Sequence, residues 1–398
     1  MGDRNVVKEV IVSKTAAGRV ARFFPWVYEN ELVTVPRDVG GGEVIRVSSP
    51  SGGFLGVGYI NQTSTIAVRV LSFTKRPIDQ EFFREKIAKA WQRRAVLGET
   101  TNAFRVVHSE ADGLPGLVAD YYNGFLSLQV NTAGMERLRR EILAAFIDVV
   151  RPAGIYERSD AGAREKEGLG SAEGVLYGEI PEELTIEEGG VLFKVRLRES
   201  QKTGFYLDQR RNRGTVASYV GAGYRVLDVF SNTGGFGLYA AAKGAGSVTL
   251  VDQSAAALEA ARENVSLNGM KDVVSVKADA FAYLAREAKQ GKRYDLVVLD
   301  PPSFAKAKDA KGGALKGYRR LVLDGLRILK PEGYLAVFSC SHHISLDDIG
   351  CACLNAAADA DCRIEVLEHL FQDTDHPYIL NIPQSLYLKG LLTRKTLL

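Results

Sequence analysis

The chain has 398 residues, of which 46 % are hydrophobic, and a formal charge of only +3. It is long for one domain, so two or three domains with ample core are expected, while a near-neutral balance does not by itself announce a nucleic-acid binder. The four cysteines, 340, 351, 353 and 362, include no Cys-x-x-Cys pair and build no disulfide framework or common zinc pattern, which fits a reducing cytoplasm and no metal.

Taken in chain order, residues 1–72 read as short strands at 6–12, 43–47 and 65–71, separated by glycine- and serine-rich turns. The polar N-terminus reads against a signal peptide, so none is expected, and Val6 stands where myristoylation wants Ser or Thr. Residues 19–28 mix cations with aromatics, Arg22 and Trp26 among them. Arginines hold phosphates and aromatic faces stack on unpaired bases, so RNA contact competes here with a plain apolar core. A basic linker leads to an amphipathic helix at 80–97, strands at 104–107, 117–120 and 125–130, a helix at 135–150, and strands near 154–157 and 191–197. The region 73–187 therefore reads as α+β, without a catalytic constellation. No apolar run is long enough to span a bilayer, so no membrane is expected.

From 188 onward, strands alternate with helices, the pattern of a parallel sheet covered on both faces. Strands at 225–230, 247–252, 273–277 and 294–299 end on Asp228 with the loop Ser231-Asn232-Thr233-Gly234-Gly235, on Asp252, on Asp279-Ala280, and on Asp300-Pro301-Pro302. Ligands bind such sheets at the carboxyl ends of their strands. Asp252 stands where an acid accepts the ribose hydroxyls of a nucleoside. A dinucleotide is disfavoured: Ser231, Asn232 and Thr233 delay the first glycine, and Asp228 would repel a pyrophosphate. The same anion suits the cationic amine and sulfonium of S-adenosylmethionine (SAM). Further on, a basic loop holds Lys306, Lys308, Lys311, Lys316, Arg319 and Arg320, a strand covers 333–341, a helix 346–358, and closing strands 363–368 and 386–391.

The run Asp228-x-Phe230-x-Asn232-x-Gly234-Gly235-x-Gly237, with Asp252, Asp279-Ala280 and Asp300-Pro301-Pro302, resembles motifs I to IV of class I SAM-dependent methyltransferases. With residues 201–213 ahead and Ser339-Cys340-Ser341 behind, nearly the whole chain is similar to the bacterial ribosomal large subunit methyltransferase I family, which makes 5-methylcytosine in large-subunit ribosomal RNA. The resemblance implies an α/β fold: a Rossmann-like, seven-stranded, mostly parallel sheet at 188–398, preceded by a PUA-like RNA-binding β-barrel at 1–72 and a connecting α+β domain at 73–187. It also implies that Tyr206, Gln209 and Arg210 line the SAM or substrate pocket. Phe230, Asn232, Thr233, Gly234, Gly235, Asp279 and Ala280 join Asp228, Asp252 and Asp300 around SAM. Lys202, Arg210, Arg213, Pro302, Phe304 and Lys306 are expected on RNA.

Carbon 5 of cytosine has no lone pair, so its methylation needs a thiolate that adds to carbon 6. Cys340, at the end of the fifth strand beside the fourth, is placed for that, and Asp300 is the leading acid. The other three cysteines read as packing residues. Two alternatives stay open: a SAM-dependent enzyme methylating an exocyclic amine of adenine or guanine, and a SAM-binding RNA module without turnover. The nucleotide, the base that removes the C5 proton, and the oligomeric state, a homodimer included, are left open.

Overall fold

The computed structural model describes residues 7–199, 204–304 and 308–396. The chain packs into two compact units. One comprises residues up to Ile186 with Val195–Phe205 and Asp375–Ser385, and the other Glu187–Lys194, Tyr206–Thr374 and the segment from Leu386.

In the first unit, a six-stranded mixed sheet takes the spatial order Trp26–Val27, Val68–Ser72, Phe54–Ile60, Glu43–Ser48, Glu9–Val12, Leu32–Thr34 among the described residues. Its core is Val10, Val12, Val27, Ile45, Val47, Ile60, Val68 and Val70. Several elements here escaped the sequence pattern, the short strands Trp26–Val27 and Leu32–Thr34 among them. Strand Phe54–Ile60 is interrupted by Gly56 and Gly58, which weaken a strand signal. Both are needed, because a Cβ on Gly58 would lie 2.2 Å from the Arg69 carbonyl oxygen. Helix Lys14–Val20 is too short for a period to show and is held by its cap, the Ser13 hydroxyl accepting from the Ala16 N–H. A five-stranded sheet follows, ordered Glu173–Gly178, Gly154–Arg158, Phe125–Val130, Leu117–Tyr122, Ala103–His108. Helices Gln80–Arg94 and Arg139–Val150 supply Phe82, Phe83, Ile87, Ile142 and Phe146 to the cluster that it shares.

The second unit is built on a seven-stranded sheet among the described residues. Its strands are β1 (Arg225–Val229), β2 (Ser247–Asp252), β3 (Val273–Lys277), β4 (Tyr294–Leu299), β5 (Leu329–Ser339), β6 (Arg363–Phe371) and β7 (Lys389–Thr396), in the order β3-β2-β1-β4-β5-β7-β6. The first five pair in parallel, and β7 runs antiparallel to both β5 and β6. Helix α1 (Arg210–Ala217) precedes β1, and helices α2 (Gly235–Ala242), α3 (Ala255–Leu267), α4 (Ala280–Lys289), α5 (Lys311–Ile328) and α6 (Leu346–Asp359) connect the strands. Leu227, Val229, Val297, Leu299, Leu335 and Val337 line one face of the central strands and Val226, Leu296, Val298, Ala336 and Phe338 the other, all buried, as a sheet covered on both sides requires. The last strand begins three residues later than expected, at Lys389, because Tyr387 and Leu388 donate their N–H groups to the Gln372 side chain instead of a ladder.

Candidate active site

The parallel order reverses direction at β1 and β4, and the loops after these strands meet at their carboxyl ends. After β1 the backbone takes left-handed values at Phe230 (φ 65°), Asn232 (φ 47°) and Gly234 (φ 86°). Non-glycine residues adopt this region at a cost, so the turn is held by bonds from outside it. The Phe230 and Ser231 N–H groups donate to the Val251 carbonyl at 2.9 and 3.1 Å, Asn264 donates to the Thr233 carbonyl at 3.1 Å, and Asp252 accepts the Asn232 N–H at 3.0 Å. Gly237 lets α2 press on β2: a Cβ there would sit 2.2 Å from Leu250.

Asp228 is fully enclosed. Its Oδ2 accepts the Gly237 N–H at 2.9 Å, while Oδ1 and the nearby Ser231 hydroxyl are buried with no hydrogen-bond partner. Burial pushes the carboxyl up to about 8, the negative charges of Asp300 and Asp252 add to it, and the Gly237 N–H and the Arg213 charge oppose it. A buried carboxylate with one unused oxygen and acidic neighbours is a poor site for a phosphate and a good one for a cation.

Asp252 also accepts the Ser254 N–H, at 2.8 Å, leaving outward lone pairs at the end of β2. Asp279 caps α4 by accepting from the Ala282 N–H and takes a second bond, 2.8 Å, from Gln253. Ala280 is the buried first residue of that helix. Across the site, Gln209 is buried and donates to Asp300 at 3.0 Å while accepting from Asn212. Tyr206 is 40 % exposed, and its phenol is pushed up to about 12, first by partial burial and then by the charges of Asp300, Asp208, Cys340 and Asp252. Cys340 is the first residue past β5 and half-buried. By contrast Cys353 is buried, its thiol pushed up to about 12; Cys362 is buried and raised as well; and Cys351 is exposed on α6.

Several expected RNA contacts prove to be internal. Arg213 is buried in a two-pronged ion pair with Glu188, 2.7 and 2.8 Å, and also donates to the Tyr206 carbonyl. Arg210 is buried 2.7 Å from Asp373. Arg213 was expected on phosphate and Arg210 on RNA in the SAM or substrate pocket, because sequence shows charge and not burial; here they tie α1 to its surroundings. Phe304 is half-buried between Phe281 and Tyr318, 6.4 and 5.2 Å between ring centroids, rather than standing clear of the sheet. Pro302 is exposed. Of the basic loop, Lys311, Arg319 and Arg320 pair with Asp348, Asp359 and Asp324, and Lys316 is exposed. In the first unit, Arg22 is exposed, whereas the Trp26 indole N–H donates to Glu110 at 3.0 Å and its ring meets Phe24 edge-on. Lys202 and Lys306 lie outside the described residues. Glu188, Asn264 and Lys389 were missed in the sequence, where an acid before a double glycine, an asparagine in a helix and a strand lysine are ordinary.

A sheet in this order, with a glycine loop after β1 and acids at the β1, β2 and β4 ends, defines a class I SAM-dependent methyltransferase. The unpartnered Asp228 and Ser231 oxygens fit the group: Asp228 would hold its cationic amine end and Asp252 its ribose diol. Residues 162–392 match the S-adenosylmethionine-dependent methyltransferase family, and residues 10–73 the PUA-like domain. The chain is 40 % identical over 379 residues to ribosomal RNA large subunit methyltransferase I of Shewanella amazonensis, covering 94 % of this chain and 96 % of that one. It is 37 % identical over 393 residues to the protein of the same name from Alteromonas mediterranea, covering 98 % and 99 %. The chain belongs to the ribosomal RNA large subunit methyltransferase I family. Among solved structures, SMU.776 complexed with SAH superposes with a TM-score of 0.85 at 23 % identity, over 98 % of this chain and 100 % of that one, a likeness of fold.

No helix among the described residues is long and apolar enough to cross a membrane, and no group of three or more His, Cys, Asp or Glu among them could hold a metal.

Proposed function

We propose that this chain methylates carbon 5 of a cytosine in large-subunit, 23S-type ribosomal RNA through a covalent Cys340 adduct. The observation that carries the reading is the placement of a half-buried thiol one residue past β5, the strand that pairs in parallel with β4, whose end leads directly into Asp300. The names of the relatives supply the RNA class, and the PUA-like segment with exposed Arg22 supplies a hold on it.

SAM, when bound, supplies the methyl group. The chain does the rest. The Cys340 thiolate forms a bond to C6 of a base turned out of its stack, and the C5=C6 electron pair moves to C5. Asp300, fixed by the Gln209 amide, stabilises charge on the ring from beside N3 or the exocyclic amine. Pro301 and Pro302 stiffen the loop that presents it. Once C5 carries the methyl, a base takes the C5 proton, the double bond re-forms, and the S–C6 bond breaks to return the thiolate. We read residues 1–72 as the RNA-holding part, 73–187 as its connection, and 188–398 as the catalytic part, working in the cytoplasm.

RNA with 5-fluorocytidine at the target tests this, because fluorine cannot leave as a proton does. The expected result is a denaturant-resistant enzyme–RNA band after methyl transfer, lost in Cys340→Ala together with turnover, and kept in Cys351→Ser. A Cys340→Ala enzyme that still makes 5-methylcytosine overturns the mechanism. Methylated adenine or guanine amines, with no adduct, would move the assignment to nitrogen methylation.

A further inference from the structure

Lys389 opens β7, paired across the antiparallel ladder with Ser339. Its side chain does not run to solvent. It is 5 % exposed, and Nζ donates to the Ser341 carbonyl at 2.8 Å. A lysine that starts opposite Ser339 and ends on Ser341 runs alongside Cys340, and the thiol's charge acts on it.

Buried lysines are rare unless paired. Among the described residues, no carboxylate forms an ion pair with Lys389. Asp348, the acid that acts on it from α6, is already bound to Lys311 at 2.7 Å and to the Ser345 N–H at 2.8 Å. The Lys389 charge also acts on His342, whose pKa is lowered first by burial and then by that charge, so it brings no anion. Burial also lowers Lys389 itself, which marks a cation short of a counter-charge. The charges of the thiol and of Asp300 also act on Tyr206 and Tyr318, and both phenols are raised, first by burial. The group placed to supply the missing anion is the sulfur.

We propose that Lys389 holds Cys340 as a thiolate before RNA arrives, a positioning residue that acts on the reaction through that sulfur. This rests on the reading of Cys340 as the nucleophile. The thiol proton leaves to solvent and the ammonium neutralises the charge left on sulfur. As the S–C6 bond forms, that charge moves into the ring. When the C5 proton has gone and the S–C6 bond breaks, the electron pair returns to sulfur beside the same ammonium. A stabilised thiolate thus favours both the attack and the final departure.

The test needs no RNA. Full-length protein is alkylated with iodoacetamide across a pH series, and the Cys340 peptide is followed by mass spectrometry, with exposed Cys351 as reference in the same digests. In the wild type, the Cys340 midpoint should lie at least about one pH unit below that of Cys351. Lys389→Met should raise it by about a unit and slow alkylation at pH 7 about tenfold, and Lys389→Arg should restore it, with SAM binding retained in both as the sign of a held fold. A wild-type midpoint at or above that of Cys351 overturns the proposal without any variant having to fold. So does a Lys389→Met midpoint that does not move, which would leave the lysine a structural partner of Ser341 only. A normal fluorocytidine adduct with an unmoved midpoint removes Lys389 alone, whereas active Cys340→Ala removes the covalent mechanism and leaves the alkylation result standing.

Discussion

At the scale of single residues, Asp228 shows how burial sets chemistry. An unfolded aspartate titrates near 4, whereas this one is pushed up to about 8. The folded chain therefore holds its proton between these values while the unfolded chain has lost it, and stability falls as pH rises through that window. A bound cation reverses the preference, since it favours the carboxylate, so SAM binding should release a proton below pH 8. SAM affinity is then expected to climb with pH from 6 to 8, by up to about tenfold per unit, and level off above. Asp228→Asn keeps an acceptor for the Gly237 N–H. It should flatten that pH profile, weaken SAM binding, and stabilise the apo fold by about 2 kcal/mol at pH 8. Calorimetry and thermal melts over this range check all three; an affinity that is flat in the wild type would remove Asp228 from the cofactor site.

At the scale of elements, the glycine loop is braced from behind by a strand and a helix outside the sheet. Glu188, at the end of Leu184–Glu188, holds Arg213 of α1 and accepts from Tyr239 of α2 at 3.0 Å. The Arg213 side chain lies so close to Gly235 that a Cβ there would be 3.1 Å from Cδ. Burial raises the Glu188 carboxyl, and Arg213 opposes the rise. Arg213→Met leaves that acid buried without its partner and should cost about 3–5 kcal/mol of stability. Arg213→Met with Glu188→Gln should recover much of it. The salt dependence of RNA binding should not change in a variant that stays folded, because Arg213 neutralises a carboxylate and not a phosphate. A fall in that slope by about one, with stability intact, would return Arg213 to the RNA surface.

At the scale of the whole molecule, the first 72 residues do not close on themselves. Tyr59, on the six-stranded sheet, is buried in the cluster of the five-stranded one; its hydroxyl donates to the Pro115 carbonyl at 2.8 Å, and Gly134 leaves room for its ring. Arg69 reaches Glu167 at 2.8 Å, both buried. Cutting after residue 72 would open that cluster, so an RNA-holding role is better tested at the surface. Arg22→Glu should weaken RNA binding several-fold and lower the slope of log affinity against log salt by about one, while thermal stability stays within about 0.5 kcal/mol. RNA affinity unmoved at all salt concentrations would clear Arg22 of any phosphate contact.

What the sequence determined by itself was the sheet and its cofactor. β3 appears at the expected residues, and Asp228, Asp252 and Asp300 stand at strand ends, because apolar runs and glycine loops are local patterns that the chain carries in order. What only the tertiary structure decided was the fate of each charge. Arg210 and Arg213 look like RNA contacts until Asp373 and Glu188, distant in the chain, are brought against them. Lys389 looks like a solvated strand residue until antiparallel pairing sets it beside Cys340. A charge takes its meaning from its partners and its exposure, and both are long-range properties that folding supplies.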